Sequence, residues 1–289
     1  MHPILKIFVL VVLLGAGILL SALCITILAL VKGIDIAVLL EAMMSGSGEF
    51  PRELLRGMLW IQALAGFILP ACLFTLFFYR RTWKQYYGLV SLPSLRTLLF
   101  AIVALFAAYP LVQLAYEVNT ALPLPDWVIE MEDGAAELLK DILVMDSVGS
   151  FLITLLLVAV LPGIGEELVF RGILQKQIGH WTLRPVLSVW IAAVIFSAIH
   201  MQFEGFLPRV VLGAVLGFVY LWSNNLWVPI FAHTMNNGLQ VAALYFTGVD
   251  LSDVEQAPDM PMNPWIIIAS VGVLYLCYEM ITKSKRHYG

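Results

Sequence analysis

Between Lys6 and Lys32 lie 25 residues without a charge, and between Arg209 and Asp250 lie 40. About 20 apolar residues carry a helix through the roughly 30 Å of hydrocarbon in a bilayer. Inside that hydrocarbon every peptide group must be hydrogen-bonded within the protein, which excludes most other structures. Similar runs lie between Arg56 and Arg80, between Arg96 and Glu117, from about Gly149, from about Pro185 to His200, and from about Trp265 to Met280. The longest run is interrupted by Ser223-Asn224-Asn225, which reads as a tight turn between two spans. The expected fold is all-α, a polytopic transmembrane helical bundle of about eight spans. A hydrophobic content of 61%, a charged content of 12% and a mean hydropathy of +0.91 fit that class and exclude an ordinary soluble domain.

The charges are sorted by loop. Arg80, Arg81, Lys84 and Arg96 follow the second span, Lys176 and Arg184 the fourth, and Lys283, Lys285 and Arg286 the last. Acidic loops follow the third span (Asp126, Glu130, Glu132, Asp133) and the seventh (Asp250, Asp253, Glu255, Asp259). By the positive-inside rule, eight spans with both termini cytoplasmic put each of these on its preferred side. Lys32, Arg52 and Arg56 disagree, since they fall outside. The expected location is a bacterial inner (plasma) membrane. The first apolar run exceeds the roughly 7 to 15 residues of a signal-peptide core and reads as a retained anchor. Ala135 to Met145 and Ile34 to Met44 have roughly helical periodicity and read as interfacial helices. Cys24, Cys72 and Cys277 lie in apolar runs without paired spacing and read as small buried hydrophobes. No basic cluster with interleaved aromatics points to nucleic acid. Three regions are expected: residues 1–148 with three spans and an acidic loop, 149–247 as a core, and 248–289 with the second acidic loop, the last span and a basic tail.

Glu166 and Glu167 follow 19 uncharged residues, Ser147 to Gly165. A charge at membrane depth costs roughly 3 kcal/mol on insertion scales, so it rarely persists without a task. Glu167 and Arg171 are four apart and share a helical face, where they can pair. Glu166 is turned by about 100° from Glu167, so one carboxylate can serve structure while the other faces a cavity. Pro162, Gly163 and Gly165 loosen the helix just upstream. His233 and Asn237 are again four apart, and an imidazole with a carboxamide can meet a developing oxyanion. Phe196 sits one turn before His200. The set supplies a base, a proton shuttle and oxyanion donors, which is what amide hydrolysis requires. A lone histidine in a membrane helix is also often only an interhelical hydrogen-bonding group.

Glu166-Glu-Leu-Val-Phe-Arg171, Phe196-Ser-Ala-Ile-His200 and His233-Thr-Met-Asn-Asn237 together resemble, in order, the three motifs of one family. It is the CPBP intramembrane protease family, also called the CAAX-processing and bacteriocin-processing or Abi family. The resemblance covers about residues 150 to 245. It implies a glutamate-dependent intramembrane endopeptidase in which Glu166 activates water with help from His200. His233 and Asn237 would support the oxyanion, and Glu167 with Arg171 would be the structural pair. The partners implied are a membrane-associated peptide or protein substrate and the lipid bilayer; no cofactor and no metal are expected. Two other readings stay open: a zinc enzyme using Glu, His and His as ligands, and a non-catalytic immunity or scaffold protein that keeps the motifs for structure.

Overall fold

The structure is a computed structural model that describes residues 1–45, 50–248 and 263–286. Among them eleven helices are labelled in chain order. They are α1 (Pro3–Val31), α2 (Ile36–Ser45), α3 (Arg52–Tyr79), α4 (Trp83–Tyr87), α5 (Leu95–Thr120) and α6 (Asp126–Leu143), then α7 (Val148–Thr182), α8 (Pro185–Ala198), α9 (Phe206–Ser223), α10 (Trp227–Thr247) and α11 (Pro264–Arg286). No strand occurs among the described residues. The protein is an all-α, polytopic integral membrane protein.

Six helices, α1, α3, α5, α7, α9 and the Pro264–Lys283 stretch of α11, are long and apolar enough to cross a bilayer. The expected count of about eight is therefore reached only with two helices of another character. The 14 residues of α8 reach only about 21 Å. The 21 residues of α10 are long enough, but they include His233, Thr234, Asn236, Asn237 and Gln240. The Ser223-Asn224-Asn225 turn is as expected: Asn224 takes φ 51°, left-handed backbone that asparagine tolerates, and caps α9. Two other expectations shift. Asp126, Glu130, Glu132 and Asp133 lie within α6 rather than in a loop, because the helix begins directly after Pro125. Of the three free thiols only Cys277 is buried, Cys24 being intermediate and Cys72 exposed. The acidic stretch Asp250 to Asp259 lies outside the described residues.

Arg52 and Arg56, the charges that fit the loop rule least, have local work. Arg56 donates to the carbonyls of Ile142 and Val144 and to the Thr154 hydroxyl. Arg52 pairs with Asp146 at 3.1 Å. Helices end with carbonyls that have no partner of their own, and here the end of α6 is satisfied by a guanidinium from α3. That fixes the link from α6 into α7.

Lipid is as apolar as leucine, so membrane helices associate through close packing and interhelical hydrogen bonds rather than through the hydrophobic effect. Small residues accordingly mark the contacts. A Cβ on Gly17 of α1 would stand 2.4 Å from the Ala65 carbonyl oxygen of α3, and one on Gly163 would stand 2.3 Å from Thr234 Oγ1 of α10. Gly15, two residues away on α1, has nothing within 4 Å. Gly17→Ala should therefore lower the unfolding temperature in detergent, with overpacking of this kind costing about 1–3 kcal/mol. Gly15→Ala should leave it unchanged or slightly raised; equal effects of the two would refute the packing argument.

Candidate active site

Helix α7 is 35 residues long, about 52 Å, and is not uniformly wound. Leu156–Val160 and Phe170–Gln175 are π-helical stretches on either side of the α-helical turns Leu161–Val169 that carry both glutamates. Wide turns of this kind are frequent at functional sites. The upstream one has a covalent cause. Pro162 has no N–H to give to the carbonyl four residues before it, that of Val158. Asn237 fills the gap, its Nδ2 donating to Val158 O at 3.2 Å.

The two carboxylates separate as their angular offset requires. Glu167 is fully buried, and Arg171, 1% exposed, donates to its Oε1 at 2.7 Å. The other arm of the guanidinium donates to the carbonyl of Gly213 on α9 at 2.9 Å. One turn on, Gln175 donates to the carbonyl of Gly217 at 3.0 Å. Arg171 and Gln175 advance by four along α7 as Gly213 and Gly217 do along α9, so the two helices run parallel in register. Gly217 allows it, since a Cβ there would meet Gln175 at 2.8 Å; a Cβ on Gly213 would instead meet Ala193 and Phe196 of α8 at 3.3 Å.

His233 joins the same carboxylate, with Nδ1 2.8 Å from Glu167 Oε1. Its Nε2 lies 3.9 Å from Glu166 Oε2, beyond hydrogen-bond length and close enough for one water to touch both. Arg171, Glu167, His233 and Glu166 thus form one chain across α7 and α10. Phe196 closes its side. The Arg171 guanidinium lies over the Phe196 ring at 4.6 Å, and the His200 and His233 rings stand edge-on to it at 4.8 and 6.2 Å. His200 Nδ1 is 2.7 Å from the Phe196 carbonyl oxygen, an acceptor, so Nδ1 carries the proton.

The structure therefore brings Glu166, Glu167, Arg171, Phe196, His200 and His233 together. Asn237 is one turn beyond His233; its Nδ2 donates to the Val158 carbonyl, and its Oδ1 accepts from Asn236 Nδ2 at 3.2 Å. Asn236 in turn accepts from the Tyr109 hydroxyl at 3.2 Å, beside an apolar groove lined by Leu105, Phe106, Tyr109 and Leu239. Among the described residues no three His, Cys, Asp or Glu side chains gather as a metal-binding group. Four residues next to this site carry no signal in the sequence motifs. Asn119, Glu132 and Arg209 hydrogen-bond to the turn after His200, in which Gln202 lies. Arg209 reads as the boundary of an apolar run; because α9 starts at Phe206, it stands one turn before Gly213 on the face that meets Arg171.

Comparison with known proteins finds similarity over the part of the chain that holds this Glu–His–Glu–Arg chain. Residues 148–239 match the family described as Type II CAAX prenyl endopeptidase Rce1-like. Over that segment the chain is similar to the family that its three motifs resemble. The Bacillus subtilis (strain 168) protein YpbD, named as uncharacterised, is 31% identical over 99 residues, which are 33% of this chain and 48% of that protein. YdiL of the same organism, provisionally named a membrane peptidase, is 28% identical over 94 residues, 32% of this chain and 38% of that protein. The chain spans about half the length, or less, of these curated relatives. No solved structure matches it.

Removing Arg171 would leave Glu167 charged and sealed from water, a loss of about 3–5 kcal/mol for a buried pair broken on one side. Arg171→Ala should sharply reduce folded protein recovered after detergent extraction. Arg171→Lys should recover only part, since an ammonium is a point charge without the guanidinium's fork. Normal yield and melting for Arg171→Ala would overturn this account.

Proposed function

We propose that the chain is an intramembrane endopeptidase that hydrolyses peptide bonds of membrane-associated substrates with a glutamate-activated water. The observation that carries this reading is the Arg171–Glu167–His233–Glu166 chain, in which every group but the last is fixed by its neighbour. Glu167, neutralised by Arg171, accepts the Nδ1 proton of His233 and so sets the tautomer. The Nε2 of His233, turned toward Glu166, is then the nitrogen that gains and loses a proton. Glu166 has no such tie, and its side chain keeps 13% exposure. It is the carboxylate able to act as a base.

Glu166 takes a proton from water as the water oxygen bonds to the substrate carbonyl carbon, and the carbonyl electron pair moves to its oxygen. Glu166 passes that proton on to Nε2 of His233, which presents it to the oxyanion. On collapse the C–N bond breaks, and the amine leaves with the same proton, which returns Glu166 and His233 to their starting states. His200, held by its Nδ1 to the Phe196 carbonyl, keeps Nε2 available as a second exchange position. Asn237 spends one amide N–H on the Val158 carbonyl and has its second N–H to offer an oxyanion. The name of the matching family makes lipid-tethered peptides the first substrates to try. The apolar groove beside Tyr109 supports an approach from the membrane side. The same reading keeps both termini cytoplasmic in a bacterial plasma membrane.

Purified protein in liposomes should cleave membrane-anchored, internally quenched peptides, with and without a prenyl group. Glu166→Gln should lower kcat by about 10²–10⁴-fold, the usual worth of a general base, with unchanged melting. Cleavage should persist in excess chelator. Activity that vanishes on chelation and returns with stoichiometric zinc, or a Glu166→Gln variant as active as the parent, would overturn the mechanism.

A further inference from the structure

His200 does not sit within a helix. Helix α8 ends at Ala198, Met201 takes φ 53°, and α9 begins at Phe206 with Gly205 before it and no side-chain cap of its own. A turn this short and this polar needs partners for its peptide groups, and they come from three other places. Asn119, 3% exposed near the end of α5, donates its amide to the carbonyls of Phe203 (2.8 Å) and Glu204 (2.9 Å), and its Oδ1 accepts the Leu207 N–H at 2.9 Å. Glu132 of α6 accepts the Phe203 N–H with one carboxylate oxygen and the Glu204 N–H, at 3.2 Å, with the other. Arg209 donates to the Gln202 carbonyl at 3.2 Å and to its side-chain Oε1 at 2.6 Å.

Residues 202–204 are thus gripped from α5, α6 and α9, immediately after the imidazole. Asn119 and Glu132 both lie outside the 148–239 segment that matches the peptidase family. The chemistry of each is specific. A carboxylate accepting two neighbouring N–H groups makes charge-assisted bonds that a neutral amide cannot reproduce, and an anion is favoured on the N-terminal side of α9. Asn119 gives N–H to two carbonyls and takes one N–H in return, a pattern that aspartate reverses at two of three contacts.

We propose that Asn119 and Glu132 are positioning residues for His200, so that the N-terminal helices set the geometry of the catalytic turn. This rests on the peptidase reading for its effect on turnover, but not for its effect on the turn. Glu132→Gln keeps size and sets a donor against a donor; Asn119→Asp keeps the bond to Leu207 and loses the other two. Each should lower kcat about 10–100-fold, the scale of a small misplacement of a reacting group, with KM and melting temperature nearly unchanged. The limb of the pH–kcat profile that disappears in His200→Ala should be displaced. Asp133→Asn, exposed next to Glu132 on α6, should change nothing.

Hydrogen–deuterium exchange gives a readout independent of activity: amides in 200–207 should exchange at least about tenfold faster in both variants, with the rest of α8 and α9 unaffected. Wild-type exchange in 200–207 would overturn the proposal, as would activity lost only in proportion to folded protein. If the wild-type protein cleaves nothing, the peptidase reading fails. The exchange data then still decide the clamp: local acceleration supports it, and unchanged protection overturns it.

Discussion

The buried pair of Glu167 and Arg171 is the contact on which the rest of this bundle is arranged. Two opposite charges 2.7 Å apart and closed from solvent need further hydrogen bonds on the same groups to offset their desolvation. Each such bond commits another helix. The second arm of Arg171 takes the Gly213 carbonyl, which requires a glycine-lined approach of α9. Glu167 takes His233 Nδ1, which fixes α10 against α7. The Phe196 ring under the guanidinium seats α8. A single ion pair therefore sets the relative positions of four helices and leaves Glu166 as the one loosely held member.

The same constraint explains how much could be read from the sequence. Charge at membrane depth is rare enough that Glu166, Glu167, His200 and His233 stand out from their surroundings, and the spacing of Glu167 and Arg171 announces their bond. Span boundaries were legible wherever a charged residue ended an apolar run, as at Lys32 or Arg80. Helix α7 was not, because it continues through Arg171 and Lys176 to Thr182. Of its charges, which look like a span end, Arg171 is paired with Glu167 and Lys176 donates to the Tyr86 carbonyl. The glutamates accordingly lie near the middle of a long helix rather than at its far end.

Asn119, Glu132 and Arg209 were out of reach for a different reason. Each is ordinary in its local sequence, a polar residue at the end of a span, in an acidic stretch or at the edge of an apolar run. Their importance comes from contacts 70 to 90 residues away in the chain, between Glu132 or Asn119 and the 203–207 turn, or from an interhelical register that periodicity does not encode. The orientation of Asn237 likewise follows from the N–H that Pro162 lacks, a consequence visible only once the two helices are side by side.

Helix α8 is about 21 Å long beside a neighbour of about 52 Å, so the bundle cannot present one uniform apolar belt to the lipid. On the flank of α8 the hydrocarbon must be thinner, or the polar turn at His200 would lie in it. Thinning costs a fraction of a kcal/mol per ångström. Acyl-chain length thereby becomes a variable of the site: short-chain bilayers relax against this flank, and long-chain bilayers strain against it.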